Sequence, residues 1–312
     1  MKILITGASG FIGTTLLDRL SKEHEVSCII RDKTKNYKHV EEKASSVYYG
    51  SIDDLEFIKR VVSESEPDIV FHLASSAIVR MCARNPVGAY QNNVMGTVKL
   101  LDAIRTGGDT VKKIIVSTSD KVYGHASPPY DEDTPFMPKY TYEATKACQD
   151  FACQNYYYNY EVPVLIARMG NIYGPGDPND SRLIPRTILN ATSNIPPMIY
   201  SDVANFQRDF IYVDDAADAL ICLMEKGIPG EAYCVGSGIE EQPKIKDIVS
   251  MILEVMKKSD LTIEYPDRHV SFREIEKQSI KADKIMRIGW KKKTSLREGL
   301  KKTVDYYSKG VS

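Results

Sequence analysis

The sequence predicts an α/β fold built on a doubly wound parallel β-sheet. Short apolar segments typical of buried strands alternate with segments of helical spacing along the first half of the chain. The first strand, "KILIT" at 2–6, leads through a glycine-rich turn directly into a helix. Regular alternation of strands and helices favours a parallel sheet with helical connections.

The regular alternation of predicted strands and helices ends at about residue 174. Before it, apolar strands are predicted at 2–6, 26–30, 68–74, 113–119 and 162–169. Segments of helical spacing lie at roughly 11–22, 53–64, 86–106 and 141–160. After the turn-rich "GPGDPND", shorter strands at 209–213 and 231–235 mix with helices near 214–226, 242–257 and 294–308. We therefore predict a main domain at 1–174 and a smaller C-terminal α/β lobe at 175–312.

The composition is that of an ordinary soluble globular protein. Of the 312 residues, 43 % are hydrophobic and 27 % are charged, which argues against disorder. A formal net charge of −1 gives no basic field for nucleic acid. The sequence contains no run of 18 apolar residues, the length that would predict a membrane span. Its six cysteines are scattered, as is typical of reduced thiols. We expect a cytoplasmic protein that needs no metal, nucleic acid or membrane.

The turn after the first strand reads "GASGFIG", with glycines at Gly7, Gly10 and Gly13. In a strand–turn–helix context, Gly7 permits the tight turn, Gly10 lets the backbone approach a pyrophosphate, and Gly13 allows close helix packing. The helix N-terminus would then face the anion. The first domain is therefore predicted to be a Rossmann-type NAD(P)-binding domain.

The end of the second strand bears on the choice of cofactor. An acid at this point usually takes the ribose hydroxyls of NAD, whereas here Arg31 arrives, with Lys33 and Lys35 behind it. These cations suit a 2′-phosphate and favour NADP. Asp32 stands one residue away, so a shift of one position would favour NAD instead.

Tyr142 and Lys146 form a Tyr-x-x-x-Lys spacing in "YEATK". Residues four apart share a helix face, so the ammonium can sit beside the phenol. A nearby cation would lower the pKa of the tyrosine and make it a usable base. Ser119 ends the strand at 113–119, at the sheet edge where ligands bind in such folds.

These segments resemble the extended short-chain dehydrogenase/reductase family over nearly the whole chain. The matching pieces are "GASGFIG", "FHLAS", "NVMGT", "STSDKVYG", "YEATK", "RMGNIYGPGD", "RDFIYVDDAADA" and "IGW". The resemblance implies that Tyr142 is the catalytic base, Lys146 its partner and ribose ligand, and Ser119 the hydroxyl that holds the reacting oxygen. It also implies cofactor contacts from Gly7, Gly10, Phe11, Ile12, Gly13, Ser51, Ile52, Leu73, Ala74, Ser75 and Asn93.

The substrates of the family are mostly nucleotide-linked sugars, so the resemblance implies a diphosphate site. We assign it to Arg182 and Arg208, with Asn171 as a phosphate contact and Arg80 reaching the sugar. Two departures leave the base pockets open. Ser51 stands where an adenine-reading Asp is common, and "SDVANFQ" replaces the usual glycine-containing turn before "RDF". Family members often dimerise through two long helices, which would be 86–106 and 141–160 here.

Asp120 and Lys121 directly follow Ser119. A sugar 4-epimerase needs no further acid or base, but a 4,6-dehydratase needs an acid for the leaving hydroxyl and a base for the carbon 5 proton. Asp120, protonated through burial, would be the acid and Lys121 the base or enolate-stabilising cation.

This Asp-Lys pair resembles CDP-glucose 4,6-dehydratases, as do 78–105 and 273–290. The sequence thus predicts an NAD(P)-dependent nucleotide-sugar 4,6-dehydratase. A 4-epimerase and a non-catalytic dinucleotide or nucleotide-sugar binding protein are the alternatives.

Overall fold

The computed structural model describes residues 1–33, 36–107, 110–240, 242–267 and 275–309, so Lys35 lies outside the described residues. Within them, seven parallel strands form the main sheet in the order β3-β2-β1-β4-β5-β6-β9. The strands are β1 Lys2–Thr6, β2 Glu25–Ile30, β3 Ser46–Tyr49, β4 Ile69–His72, β5 Lys113–Ser119, β6 Val164–Met169, β7 Asn171–Tyr173, β8 Phe210–Tyr212 and β9 Ala232–Val235. This topology confirms the predicted fold class.

Helices flank both faces of the sheet. They are α1 Phe11–Leu20, α2 Tyr37–Lys43, α3 Leu55–Ser65, α4 Val79–Arg84, α5 Pro86–Tyr90, α6 Gly96–Gly107, α7 Thr141–Tyr160, α8 Leu183–Thr192, α9 Val213–Lys226, α10 Ile245–Val255, α11 Asp283–Arg287 and α12 Leu296–Lys309. A π-helical turn, Gln91–Met95, joins α5 to α6. No helix in the described ranges is long and apolar enough to cross a membrane.

The sheet has its topological switch point at β1, which pairs with β2 on one side and β4 on the other. The chain adds β2 and β3 on one side of β1 and then crosses to the other side to form β4. The connections after β1 and β4 therefore lie on opposite sides, which leaves a crevice at the carboxyl ends of these two strands. Alternate residues of β1 serve the two faces, with Ile3 and Ile5 in one apolar core and Leu4 in the other. The strand is buried on both faces, which explains its continuous apolar sequence.

One predicted strand lies elsewhere than expected. The sequence places 231–235 in the smaller lobe, whereas β9 pairs in parallel with β6 and extends the main sheet. The connecting helix α9 supports this return, because Ala216, Leu220 and Leu223 pack into the core of the main sheet. The boundary at residue 174 stays a prediction, but the chain crosses back into the larger unit after it.

The smaller unit is built around β7 and β8, which form a two-stranded parallel sheet. Its core joins residues of this sheet to apolar faces of α8, α10 and α12. Tyr173 marks the junction, since its hydroxyl donates to the carbonyl of Leu296 at 3.2 Å. Strand β7 begins just beyond the carboxyl end of β6, and β8 pairs with it in parallel, so the small sheet starts at the ligand-binding edge of the main sheet.

A buried ion pair ties α7 to the sheet. Arg168 of β6 donates from Nε and Nη2 to the two carboxylate oxygens of Asp150 at 2.9 and 3.0 Å. Asp150 is fully buried and Arg168 is 4 % exposed. The guanidinium also lies 4.7 Å from the ring centroid of Phe136. This pair fixes the helix that carries both Tyr142 and Lys146.

Asp150→Asn should lower the free energy of unfolding by about 3–5 kcal/mol, because it leaves the Arg168 charge buried without its partner. The measurement is urea denaturation followed by circular dichroism. Asp102→Asn is the matched control, since Asp102 pairs with Arg105 on the exposed side of α6. The control should change the unfolding free energy by no more than about 0.5 kcal/mol. Equal losses in the two variants would contradict the role given to the buried pair.

Candidate active site

Ser119 ends β5 and places the first side chain of the site at the carboxyl edge of the sheet. It also begins a short 3₁₀ turn, Asp120–Tyr123, because its Oγ accepts from the backbone N–H of Lys121 at 3.2 Å. The same hydroxyl donates to Oδ1 of Asp120 at 3.1 Å. The turn therefore folds the Asp-Lys pair back over the strand end.

Asp120 and Lys121 do not turn to solvent. Asp120 is 1 % exposed, and the Lys121 side chain is 17 % exposed. The Lys121 ammonium lies 3.6 Å from Asp120 Oδ1, yet its Nζ is buried without a hydrogen-bond partner among the described residues. Burial lowers the pKa of Lys121, Asp120 opposes that shift, and the Arg208 charge adds to it. A lysine in this setting is disposed to lose its proton.

Gln278 brings the C-terminal part of the chain to this pair. Its Nε2 donates to Oδ2 of Asp120 at 3.0 Å, and its Oε1 accepts from Asn171 Nδ2 at 3.4 Å. Gln278 is fully buried. Sequence reasoning missed this residue, because the contact spans 158 positions and no local spacing signals it.

Tyr142 lies in the first turn of α7 and is 8 % exposed. Burial raises its pKa to about 12, while a hydrogen bond with Ser119 and the charge of Arg182 act in the opposite direction. The expected lowering of this pKa by Lys146 is thus wrong for the protein alone. The main reason is the burial of the phenol, and the Lys146 ammonium is directed elsewhere, since it donates to the backbone oxygen of Ser117 at 3.0 Å and to Gln149 Oε1 at 2.8 Å.

Lys146 is nonetheless one helical turn from Tyr142 and just as deeply buried, with 2 % exposure. Burial lowers its pKa to about 8. A lysine with this pKa remains mostly charged at neutral pH, so a cation is held beside the site. Gln149, its partner, was also missed, although the i, i+3 spacing from Lys146 could have indicated it.

The glycine turn fits a dinucleotide pyrophosphate. Gly7 has φ +75°, and a Cβ there would lie 2.7 Å from the backbone nitrogen of Ala74. A Cβ at Gly13 would lie 2.3 Å from the Gly7 oxygen, whereas at Gly10 the nearest described atom would be 3.1 Å away. Protein packing thus requires Gly7 and Gly13, and a Cβ at Gly10, just before α1, would also be in tight contact with the Gly7 oxygen. The exposed N–H groups of a helix start are an anion site.

The other predicted cofactor residues lie at the start of α1, after β3, after β4 and in the π-helical turn. Asn93 is fully buried and braces the turn after β4, since its Oδ1 accepts from Ser75 Oγ at 3.1 Å and its Nδ2 donates to Thr145 Oγ1 at 3.0 Å. The remaining ones are half-buried or packed against neighbouring helices: Phe11, Ile12, Ser51, Ile52, Leu73 and Ala74. Arg31 exposes 74 % of its side chain, and its Nε lies 3.2 Å from Asp32.

Of the residues predicted to bind the substrate, Arg208, Arg182 and Asn171 lie near the site, and Arg80 does not. Arg208 is 9 % exposed and donates to the Ile275 oxygen at 2.7 Å, close enough for its charge to act on Lys121. Arg182 pairs with Asp177 at 3.1 Å, and its charge acts on Tyr142. Asn171 donates to the Asp209 oxygen at 2.9 Å. Arg80 is exposed on α4, and the structure gives it no place in this cluster.

Comparison with known proteins places this architecture in a family. Residues 3–236 match the NAD dependent epimerase/dehydratase family. The dTDP-D-glucose 4,6-dehydratase of Mus musculus is 30 % identical over 99 % of this chain and 89 % of the mouse protein. The dTDP-glucose 4,6-dehydratase of Shigella flexneri is 31 % identical over 98 % of this chain and 92 % of its own length.

Solved structures of epimerases and dehydratases share the fold of this chain. A UDP-glucose 4-epimerase of Thermotoga maritima with UDP-glucose superposes with a TM-score of 0.91 at 27 % identity, covering 100 % of both chains. A dTDP-glucose 4,6-dehydratase of Bacillus anthracis in complex with NAD gives 0.87 at 26 % identity, covering 99 % of this chain and 97 % of that one. The chain belongs to the NAD-dependent epimerase/dehydratase family.

Proposed function

We propose that this protein is a nucleotide-sugar 4,6-dehydratase, which converts an NDP-hexose to an NDP-4-keto-6-deoxyhexose. The observation that carries the proposal is the buried Asp120–Lys121 pair beside Ser119 and Tyr142. Such a pair supplies the acid and base that dehydration requires beyond hydride transfer. The similarity to dehydratases from mouse and Shigella flexneri supports the same reaction.

The first step is oxidation at carbon 4 of the sugar. A bound dinucleotide would supply the hydride acceptor and later the hydride donor. Tyr142, once ionised, takes the proton of the 4-hydroxyl, and Ser119 donates a hydrogen bond to the same oxygen. The phenol needs positive charge nearby, because burial is the largest of the effects that together raise its pKa to about 12. Lys146, which stays mostly charged at neutral pH, provides part of that charge.

The second step is loss of water across carbons 5 and 6. The carbon 5 proton becomes acidic once carbon 4 is a ketone, and Lys121 as a neutral amine takes it. Asp120 as a carboxylic acid gives its proton to the departing hydroxyl, which leaves as water. The two side chains, 3.6 Å apart, can hold one proton between them. The cycle would close when the stored hydride is returned to carbon 6 and Tyr142 gives the proton that it took to carbon 5. Passing the remaining proton from the Lys121 ammonium to the Asp120 carboxylate then restores both reactive forms after each turnover.

The alternative reaction, 4-epimerisation, uses the same Ser119, Tyr142 and Lys146. The likeness to the Thermotoga maritima epimerase shows that the fold serves both reactions. Epimerisation gives no task to a buried acid and amine, and burying two charged groups without function is costly. A pure binding protein likewise has no need of a buried phenol beside a lysine. The Asp120–Lys121 pair therefore favours dehydration.

The finer proposal on the cofactor is a preference for NADP. The dinucleotide site itself is supported by the glycine turn and by the NAD held in the Bacillus anthracis relative. The cations Arg31 and Lys33 at the end of β2 favour a 2′-phosphate. Asp32, which contacts Arg31, is the acid that would favour NAD.

We also propose that the protein is a cytoplasmic homodimer. The predicted interface helices carry exposed apolar side chains, namely Val87, Tyr90, Met95, Phe151 and Tyr158. All six cysteines are unpaired, as suits a reducing compartment. Sedimentation velocity at micromolar concentration checks the assembly, and a species of about 35 kDa, the mass of one chain, would rule the dimer out.

Purified protein with bound cofactor should convert one member of a CDP-, UDP-, GDP- and dTDP-hexose panel to a product lighter by one water molecule. Mass spectrometry of the nucleotide sugars is the measurement, and it also names the nucleobase. A product of unchanged mass but different retention would make the protein an epimerase. No conversion of any member would contradict both enzymatic readings.

The same assay on variants separates the two steps. Asp120→Asn should lower product formation by about 100-fold while reduced cofactor still accumulates, because only the acid of the second step is lost. Tyr142→Phe should prevent cofactor reduction by a similar factor. Asp133→Asn, an exposed neighbour, is the control and should leave both signals unchanged. Normal product formation in Asp120→Asn would remove Asp120 from the mechanism.

Calorimetric titration should show tighter binding of NADP than of NAD, since Arg31 can pair with the 2′-phosphate. Arg31→Ala should weaken NADP binding about tenfold and leave NAD binding nearly unchanged. Lys22→Ala removes an exposed cation elsewhere and serves as the control. Tighter NAD binding by the unaltered protein would overturn the NADP preference.

A further inference from the structure

We propose that Gln149 is a positioning residue for Lys146, and that a buried chain of hydrogen bonds through Thr97 and His72 to Thr6 fixes the orientation of its amide. The inference deepens the proposed function, since it rests on the role given there to Lys146. It concerns side chains that line no surface: Thr6, His72, Thr97 and Gln149 are all fully buried. Such a polar chain is costly to bury unless every donor and acceptor is matched.

The chain begins at the ammonium of Lys146, which has three N–H donors. Two of them are occupied by neutral acceptors, the Ser117 backbone oxygen at 3.0 Å and Gln149 Oε1 at 2.8 Å. The third is left for Tyr142 or a ligand. Because two donors are fixed by atoms of β5 and α7, the direction of the third is fixed as well. Gln149 thereby determines where the positive charge is aimed.

The Thr97 hydroxyl sets the orientation of the Gln149 amide. This hydroxyl has one proton, which it donates to the backbone oxygen of Asn93 at 2.7 Å. Its two lone pairs then accept from Gln149 Nε2 and from His72 Nε2, both at 2.9 Å. If the amide flipped, Gln149 Oε1 would face an oxygen with no proton to give, and its NH₂ would face the ammonium. The flipped amide is therefore excluded, and Lys146 always meets an acceptor.

Because the Thr97 hydroxyl has no second proton to donate, its contact with His72 also assigns the tautomer of that ring. Its Nε2 must carry the proton that Thr97 accepts, so Nδ1 is the acceptor for the Thr6 hydroxyl at 2.7 Å. Thr6 in turn accepts from the Ala74 backbone N–H at 3.3 Å. Burial, together with the Lys146 charge, lowers the pKa of His72 to about 3, so the ring stays neutral. The chain thus links the ends of β1 and β4, beside the glycine turn, to the catalytic lysine.

The other ionisable groups that face Lys146 do not replace Gln149. Cys82 of α4 and Cys153 of α7 are thiols whose pKa values burial raises, so they remain neutral. Asp150 is engaged by the Arg168 guanidinium through both of its oxygens. Tyr142 is neutral at pH 7 in the protein alone, because its pKa is raised to about 12. Among the residues that the structure describes, Gln149 Oε1 is the side-chain atom that accepts a hydrogen bond from Lys146.

The test is the pKa of Lys146, read from its ¹³Cε resonance in lysine-labelled protein and assigned by its loss in Lys146→Arg. Gln149→Glu places a carboxylate against the ammonium and should raise this pKa by about one unit. Gln149→Leu removes the acceptor and should lower it by about half a unit. Gln154→Leu, on the same helix but donating to Asp150, is the control and should leave it unchanged. Shifts in the same direction, or none, would overturn the proposal.

A second pair of variants tests the chain itself. Thr97→Val removes the hydroxyl that orients the Gln149 amide. The Lys146 pKa should therefore fall, as is expected for Gln149→Leu. The double variant should resemble Gln149→Leu alone, since both changes act through one contact. Thr106→Val on the same helix, whose hydroxyl bonds the Asp102 carbonyl at the surface, is the control. Additive effects of Thr97→Val and Gln149→Leu would overturn the chain.

These readings are independent of turnover. If the unaltered protein converts no sugar nucleotide, the proposed reaction fails, while the Lys146 titration still supports or overturns the positioning role. Where the protein is active, the alkaline limb of its pH–rate profile should move with the Lys146 pKa, up in Gln149→Glu and down in Gln149→Leu. A general loss of packing would lower the rate in both variants without opposite shifts.

Discussion

The desolvation of charge at the carboxyl edge of the sheet is the constraint on which the rest of this structure depends. Asp120, Tyr142 and Lys146 are buried and Lys121 is largely so, and a polar atom removed from water is costly unless protein groups replace the water. The replacements are mostly neutral dipoles: a serine hydroxyl, two glutamine side chains and a backbone oxygen. These neutral partners restrain the side chains through hydrogen bonds, which fixes their positions at the sheet edge.

This constraint also explains why two parts of the chain that are distant in sequence must meet. The main sheet presents Ser119 and Tyr142, but the second oxygen of Asp120 is satisfied from the C-terminal part, by Gln278. Arg208, on the same side, adds positive potential near Lys121. The C-terminal part of the chain therefore contributes directly to the candidate site. It completes the set of donors around the carboxylate.

Much of the fold could be predicted from local signals. The strand–turn–helix at 2–20 and the apolar strands β4, β5 and β6 follow from periodicity and glycine chemistry. Edge strand β3 was missed, since its side chains are mostly exposed or half-buried and give no apolar run. Strand β9 was predicted in its place along the chain but not in its sheet, because pairing with β6 is a long-range property that no local pattern encodes.

The candidate site divides in the same way. Ser119, Asp120, Lys121, Tyr142 and Lys146 could be named because motif spacing and family resemblance mark them. Their protonation behaviour could not be derived from spacing. The proximity of Lys146 to Tyr142 suggests a lowered tyrosine pKa, but burial dominates and the ammonium is turned toward Gln149. Residues such as Gln278 and Thr97 become visible only when the partners of each buried polar atom are traced.

The π-helical turn Gln91–Met95 has a consequence for how this scaffold can change. A π turn carries one residue more than the α-helix it interrupts, and it is intrinsically the weaker hydrogen-bonding pattern. Deleting one residue there would restore regular α-helical hydrogen bonding. It would also rotate Asn93 by roughly 100° relative to Thr97, since each residue advances an α-helix by that angle. Asn93 could then no longer hydrogen-bond both Ser75, after β4, and Thr145 of α7. Shortening this segment by one residue would therefore remove buried hydrogen bonds of Asn93, whereas substitutions at its exposed positions would leave them in place.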